Sequence, residues 1–287
     1  MDNNIRYPVL FTIIVYREIF YETLTYKSIL ESINESGVQN EKFYILIIDN
    51  TDIKKWKVEV PILTKNLSVI YHHLPDNPGI SIAYNKAYEI ASINNFEWIA
   101  FFDQDTELPK EIYSIYKKAA LSSSNINPIK CPIVLLPNKA ILSPAKYKFY
   151  HSFLFKEISP GILNIANISC INTGIMISVL FYNQVGQYNE RLRLDFCDHD
   201  FIERVKKYVK TIEVLPLYFV QNFSSITHSK DQALKRYKFY CRDLKEFKKG
   251  RNKLVIFFSN DMLRLIRLTI KYHSFKFIII RLKSLFS

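Results

Sequence analysis

Unbroken apolar runs alternate along the chain with amphipathic stretches. Val9-Leu10-Phe11-Thr12-Ile13-Ile14-Val15-Tyr16 is a continuous β-rich run, the pattern of a strand buried on both faces. Residues 20–34 predict a helix that ends near Gly37. Residues 42–48 form a second buried strand, closed by Asp49-Asn50-Thr51-Asp52, and residues 67–71 a third. Asn77-Pro78-Gly79 is a turn that opens a helix over residues 81–94. Residues 96–102 are a fourth strand, running directly into Asp103-Gln104-Asp105.

The second half is less regular. Residues 121–170 are rich in Pro, Ser and Asn, with short apolar runs at 133–136 and 153–155 that suit a mixed sheet region. Residues 171–180 and 209–220 predict further strands, and 185–194 a turn. Residues 196–208 predict a helix with Asp195, Asp198 and Asp200 at its N-terminal end. Strands alternating with helices, each strand nearly all apolar, define an α/β fold with a mostly parallel sheet covered on both faces. Ligands in such sheets bind outside the carboxyl ends of the strands. Tyr16, Asp49 and Asp103 all sit at those ends.

Charge changes this picture. Of the 287 residues, 39 are Lys or Arg and 27 are Asp or Glu. Residues 230–287 hold 16 of the basic and 4 of the acidic residues, a difference equal to the whole net charge of +12. The first 229 residues are therefore neutral, and a domain over residues 1–250 is followed by a basic amphipathic segment over residues 251–287. That segment mixes Phe, Ile and Leu with Arg264, Arg267, Lys271, Lys276, Arg281 and Lys283, the composition of an interfacial helix drawn to an anionic membrane surface. No stretch approaches the roughly 20 apolar residues of a spanning helix. Met1-Asp2-Asn3-Asn4 lacks the pattern of a secretory leader, and the four isolated cysteines suit a reducing compartment. A nucleic-acid partner is not expected, because acidic strand ends on a neutral body repel phosphate unless a cation intervenes.

The candidate chemistry starts from the acidic pair. Side chains at i and i+2 of an extended segment point to one side, so Asp103 and Asp105 can share one cation. Burying lone charges is costly, and a divalent ion such as Mg2+ or Mn2+ both relieves that cost and holds a diphosphate. His228 falls where a returning segment could supply a third ligand. Asp49 offers an acceptor for a base or ribose, against the alternative of an Asx turn closing the strand. Asn77, Gly79 and Asn85 mark a helix start facing the strand ends, where Gly79 permits close backbone approach. Capping explains one carboxylate at a helix start, not three with a His among them, and Asp198 is the candidate general base.

These residues resemble the family 2 glycosyltransferases of the GT-A fold, above all bacterial rhamnosyltransferase-like members. The resemblance rests on Phe101-Phe102-Asp103-Gln104-Asp105-Thr106, Tyr16, Asp49-Asn50, Asn77, Gly79 and Asn85, and Thr173-Gly174-Ile175-Met176-Ile177-Ser178. It continues through Val185-Gly186-Gln187-Tyr188-Asn189-Glu190, the acids from Asp195 to Asp200, His228, and Arg236-Tyr237 to Arg242, and so covers about residues 7–250. Pro78, Lys86, Arg193 and Asp243 depart from the family pattern. The resemblance implies an inverting, metal-dependent transfer of a sugar, best guessed as rhamnose from dTDP-rhamnose, to a lipid-linked oligosaccharide of O-antigen or capsule synthesis. It implies donor contacts from Tyr16, Asp49, Asn77, Gly79, Asn85 and Asp103, metal ligation by Asp103, Asp105 and His228, and Asp198 as base. A UDP-sugar donor is the alternative within the fold. A non-catalytic binding protein using the basic segment is the alternative outside it. A lipid-linked acceptor makes the inner face of the bacterial plasma membrane the expected location.

Overall fold

The computed structural model describes residues 7–35, 42–52, 66–122, 127–221 and 229–286. Four parallel strands form the first half of the sheet. They are β1 (Tyr7–Val15), β2 (Phe43–Asp49), β3 (Leu67–His73) and β4 (Phe96–Asp103), in the order β3-β2-β1-β4. Successive side chains point to opposite faces, so one apolar strand feeds two cores. Leu10 and Ile14 pack with Leu46, Ile48 and Phe101 beneath α2 (Ile80–Ile93), whose Ala83, Tyr84, Ala87 and Ala91 are buried. Phe11 and Ile13 pack with Ile45, Ile47 and Phe102 beneath α1 (Leu24–Glu35) and α3 (Ile112–Leu121).

The parallel character belongs to this first half. Beyond β4 the sheet continues through β11 (Met176–Ser178), β6 (Ile129–Leu135), β7 (Ile141–Lys148) and β10 (Ile168–Ser169), all by antiparallel pairs. β12 (Thr211–Gln221) runs parallel to β6 and antiparallel to β5 (Thr106–Glu107) and β9 (Gly161–Asn164). β8 (His151–Phe155) pairs with β7 as a protruding hairpin. The strand expected over 171–180 shrinks to β11 for a local reason. Gly174 holds φ +79°, and a Cβ there would lie 2.4 Å from both Phe219 and Pro132. The turn it makes uses the start of the run, and α4 (Val179–Val185) uses the end. α5 (Cys197–Val205) follows, shorter than the predicted helix.

The described part of the basic segment is mostly helical, with α6 (Lys230–Phe247) leading into it. Ser229 caps α6 in a reciprocal box with Gln232. α7 (Lys253–Ile256) passes through a π-helical turn, Phe257–Met262, into α8 (Leu263–Tyr272), and α9 (Lys276–Phe286) folds back. This unit is packed onto the body. Ile256 and Phe277 are fully buried, with Phe277 edge-on to Tyr237 at 5.5 Å. Asp261, also buried, takes Arg281 on both oxygens, at 2.8 and 2.6 Å, and Lys248 at 2.9 Å. No helix among the described residues is long and apolar enough to cross a membrane.

Candidate functional site

The carboxyl ends of β1, β2 and β4 are tied into one edge. Gln104 clasps Tyr16: the Tyr16 N–H donates to Oε1 at 2.6 Å, and Nε2 donates to the Tyr16 carbonyl at 3.3 Å. The Thr25 hydroxyl, in the first turn of α1, donates to the Asp103 carbonyl at 2.5 Å and accepts the Thr106 N–H at 3.1 Å. These bonds fix the turn that carries the acidic pair. The Tyr16 ring itself is exposed at this edge.

A buried polar chain then joins the Asp103 backbone to the Asp105 carboxylate. The Asp103 N–H donates to Thr173 Oγ1 at 3.2 Å, and Thr173 meets the Thr106 hydroxyl at 3.1 Å. Thr106 donates to Gln221 Oε1 at 2.5 Å, and Gln221 Nε2 donates to Asp105 Oδ1 at 2.7 Å. Gln221 ends β12 and was invisible from sequence, since an uncharged residue after a run of apolar ones carries no chemical signal. Glu18 was missed too: burial, then the nearby charge of Asp105, pushes its pKa up, while a hydrogen bond from Gln104 works against this.

The electrostatics are those of a buried acidic cluster. The Asp103 carboxyl is pushed up to about 7, first by burial, then by Asp105, then by Asp198. Among the described residues no protein donor reaches the Asp103 carboxylate. Burial also raises Asp105, against the stabilising Gln221 bond. Asp198, in the first turn of α5, is thus among the charges that act on Asp103.

The structure separates the three acids at the start of α5, Asp195 in the loop before it and Asp198 and Asp200 in its first turn. Asp195 is held by Arg236 of α6 and by Arg264 of α8, the latter at 3.2 Å. Asp200 is held by Arg251 at 2.8 Å and Arg204 at 3.2 Å. Asp198 has neither, and its Oδ1 accepts the N–H of His199 at 2.8 Å. His199 bonds Ser169 at 2.7 Å and lies against Tyr147. The loop before α5 is set by Asp243, fully buried, whose carboxylate accepts the N–H groups of Arg193, Leu194 and Asp195.

The other sequence candidates fare differently. Asp49 is buried and makes the Asx turn, with Oδ1 accepting the Thr51 N–H at 3.0 Å and Oδ2 the Tyr71 hydroxyl at 2.5 Å. Asn85 is consumed within the protein. Its Nδ2 donates to the Tyr188 carbonyl and Glu190, and its Oδ1 accepts from the Tyr182 hydroxyl and the Tyr188 N–H. Those four bonds use the whole amide and staple the loop after α4. Gly79 does permit close approach, and the approaching group is Arg193. A Cβ on Gly79 would lie 2.6 Å from Arg193 Cγ, and the Ile80 N–H donates to the Arg193 carbonyl at 2.7 Å. The Asn77 carbonyl accepts from the Arg193 guanidinium. His228 lies outside the described residues, immediately before Ser229.

Asp103 and Asp105 fit a divalent metal. The donors are carboxylate oxygens, suited to Mg2+ or Mn2+ and not to a thiophilic ion. The cost of the uncompensated charges is what a bound cation would remove. No third His, Cys, Asp or Glu completes a metal cluster among the described residues.

A parallel half-sheet whose strand ends gather an acidic pair, continued by a mixed half carrying a further carboxylate, is the GT-A architecture of glycosyltransferases. Structural comparison agrees with it. GalNAc-T7, crystallised with UDP, GalNAc and Mn2+, superposes over 95% of this chain and 55% of its own, with 10% identity and a TM-score of 0.58. Residues 1–349 of TarS from S. aureus superpose over 94% of this chain and 80% of that one, with 14% identity and a TM-score of 0.52. In sequence, the chain is 23% identical over 202 residues to dTDP-rhamnosyl transferase RfbF of Shigella flexneri, covering 69% of this chain and 66% of that protein. No protein-family model matches the chain. The expected GT-A fold is thus the fold observed, and the relatives that share it are glycosyltransferases.

Proposed function

We propose that the chain is an inverting glycosyltransferase that moves a sugar from a nucleoside-diphosphate donor to an acceptor hydroxyl. What supports this reading is the acidic pair Asp103 and Asp105 at the end of β4, with the charge of Asp198 acting on Asp103 and Asp198 free of the arginines that hold its neighbours. Asp103 and Asp105 hold a divalent cation, Mg2+ or Mn2+, with Gln221 orienting Asp105 and the disposition of His228 left to metal titration. When bound, that ion supplies positive charge for the departing diphosphate. The exposed Tyr16 ring offers a face to the base, and the rim of Asp49 and Asn77 bounds the nucleoside side. Asp198 takes the proton of the acceptor hydroxyl as that oxygen bonds to the anomeric carbon. The bond from that carbon to the diphosphate oxygen breaks on the opposite face, which inverts the centre.

The relationship to a dTDP-rhamnosyl transferase supports dTDP-rhamnose as donor. A structural neighbour crystallised with UDP supports the second reading, a UDP-sugar donor on the same site. The basic segment supports a lipid-linked oligosaccharide acceptor, as in O-antigen or capsule synthesis, met by a chain peripheral on the inner face of the plasma membrane. Two structural features strengthen this. Outward residues at the start of and along α9 are apolar at Phe275, just before the helix, and at Ile279 and Leu282, and they are flanked by Lys276 and Lys283. On α8, Leu263, Ile266 and Ile270 are likewise exposed beside Arg267 and Lys271.

A thermal-shift screen with Mn2+ and UDP-, dTDP- and GDP-sugars tests the donor, followed by turnover with the donor that shifts. A shift with dTDP-rhamnose alone supports the first reading and a shift with a UDP-sugar the second. No shift with any donor removes the enzyme reading.

A further inference from the structure

Outside the site, the most unusual surface is the tip of the β7–β8 hairpin. Its turn places Phe149 and Tyr150 in left-handed backbone, φ 55° and 60°, the two-residue turn that normally selects Asn or Gly. Phe149 is 57% exposed, Phe153 48% and Leu154 49%. Both faces of β8 thus present large apolar groups at the tip, on an edge strand, where soluble proteins normally put charge. The charged residues around them are mostly basic. Lys139, Lys146, Lys148 and Lys156 face a single acid, Glu157, over residues 139–160. Lys148 Nζ lies 4.8 Å above the Phe149 ring, and Lys146 Nζ 5.4 Å above Phe155.

The tip is fastened to the basic segment. Asn260, in the π-helical turn, donates Nδ2 to the Tyr150 carbonyl at 2.8 Å and meets His151 Nδ1 through Oδ1 at 3.2 Å. The Asn252 N–H reaches the Tyr150 hydroxyl at 3.4 Å. One turn before Asn260 on the same helical segment are Phe257 and Phe258, 40% and 57% exposed. The wider spacing of a π turn shifts the helix face by one residue, and here it lets Asn260 face the hairpin beside two outward phenylalanines.

We propose that the β7–β8 tip and the π-helical turn form one lipid-inserting face, with Phe149, Phe153, Leu154, Phe257 and Phe258 entering an anionic bilayer and the flanking lysines meeting its headgroups. This rests on the membrane reading of the basic segment and adds a second, separate element to it. The occupant is a bilayer because the charge surrounding the apolar tip is predominantly positive, four lysines to one glutamate, whereas the same tip of a second copy of this chain would bring lysine against lysine.

The test uses the full chain with vesicles of phosphatidylcholine, alone and mixed with phosphatidylglycerol. Phe149→Trp should give a blue-shifted emission with the anionic vesicles only. The triple variant Phe149→Ser/Phe153→Ser/Leu154→Ser should keep the melting temperature of the parent and bind those vesicles about tenfold more weakly. If the parent floats with vesicles while F149W emission and the triple variant are unchanged, the hairpin is outside the membrane face and the proposal fails, although the basic segment keeps its role. Flotation of no form removes both. A parent that is dimeric by light scattering and made monomeric by the triple variant makes this a protein interface and overturns the proposal.

Discussion

Gln221 donates its side-chain amide to Asp105 at 2.7 Å, joining the last residue of β12 to the turn after β4. The same amide accepts from Thr106, so its orientation is fixed from both ends. A carboxylate aimed by a buried partner binds metal better than one free to rotate, and outer partners of this kind are worth about 10–100-fold in affinity. Gln221→Leu is therefore expected to weaken Mn2+ binding by about tenfold or more without unfolding the chain. Isothermal titration with Mn2+ and nucleoside diphosphate measures this; unchanged affinity would detach Gln221 from the site.

Asp198→Asn tests the division of labour among the acids of α5. The amide keeps the His199 bond geometry and loses the proton acceptor. Turnover should fall by about 10²–10⁴, the range of general-base contributions, with the donor dissociation constant unchanged. Loss of donor binding in that variant would move Asp198 from chemistry to recognition.

The pH dependence follows from Asp103. Its carboxyl is raised from 3.8 to about 7 by burial, Asp105 and Asp198. A raised carboxyl contributes stability while protonated, below its unfolded value, and that contribution is lost as pH rises through about 7. A divalent cation binds the ionised form and restores it. Mn2+ should therefore raise the melting temperature more at pH 8 than at pH 6. Asp103→Asn should remove most of this difference, and a pH-independent metal shift in the parent would count against the assignment.

Phe277 tests whether the C-terminal helices belong to the folded body. It is fully buried against Tyr237. Phe277→Ala should cost about 3–5 kcal/mol of global stability, the range for a core aromatic. A loosely tethered helix would instead leave the cooperative denaturant transition where it was.

The first half of the fold was legible because each strand there is a nearly unbroken apolar run. Periodicity named β1, β2, β3 and β4, and their ends located Tyr16, Asp49 and Asp103. The second half was not, because its strands are short and its turns depend on contacts far away in sequence. Gly174 shortens β11 through its fit against Phe219 and Pro132, which no local pattern records. Asn85 looked like a ligand group for the same reason: its partners lie 103 and 105 positions away, at Tyr188 and Glu190. The acids at the start of α5 could be counted in sequence but not distinguished, since three of the four arginines that occupy Asp195 and Asp200 come from α6, α8 and the link before α7, and only Arg204 is local.

Asp195 is shared by Arg236 and Arg264, one from α6 and one from the segment beyond residue 250. Cutting the chain at residue 250 would remove Arg264 from Asp195, Arg251 from Asp200 and the apolar cover from Tyr237. A shortened protein that fails to transfer sugar would thus report on a broken brace, not on a missing address. The two roles separate only through charge exchange on outward positions such as Arg267 and Lys271, where the helix stays and its attraction to anions goes.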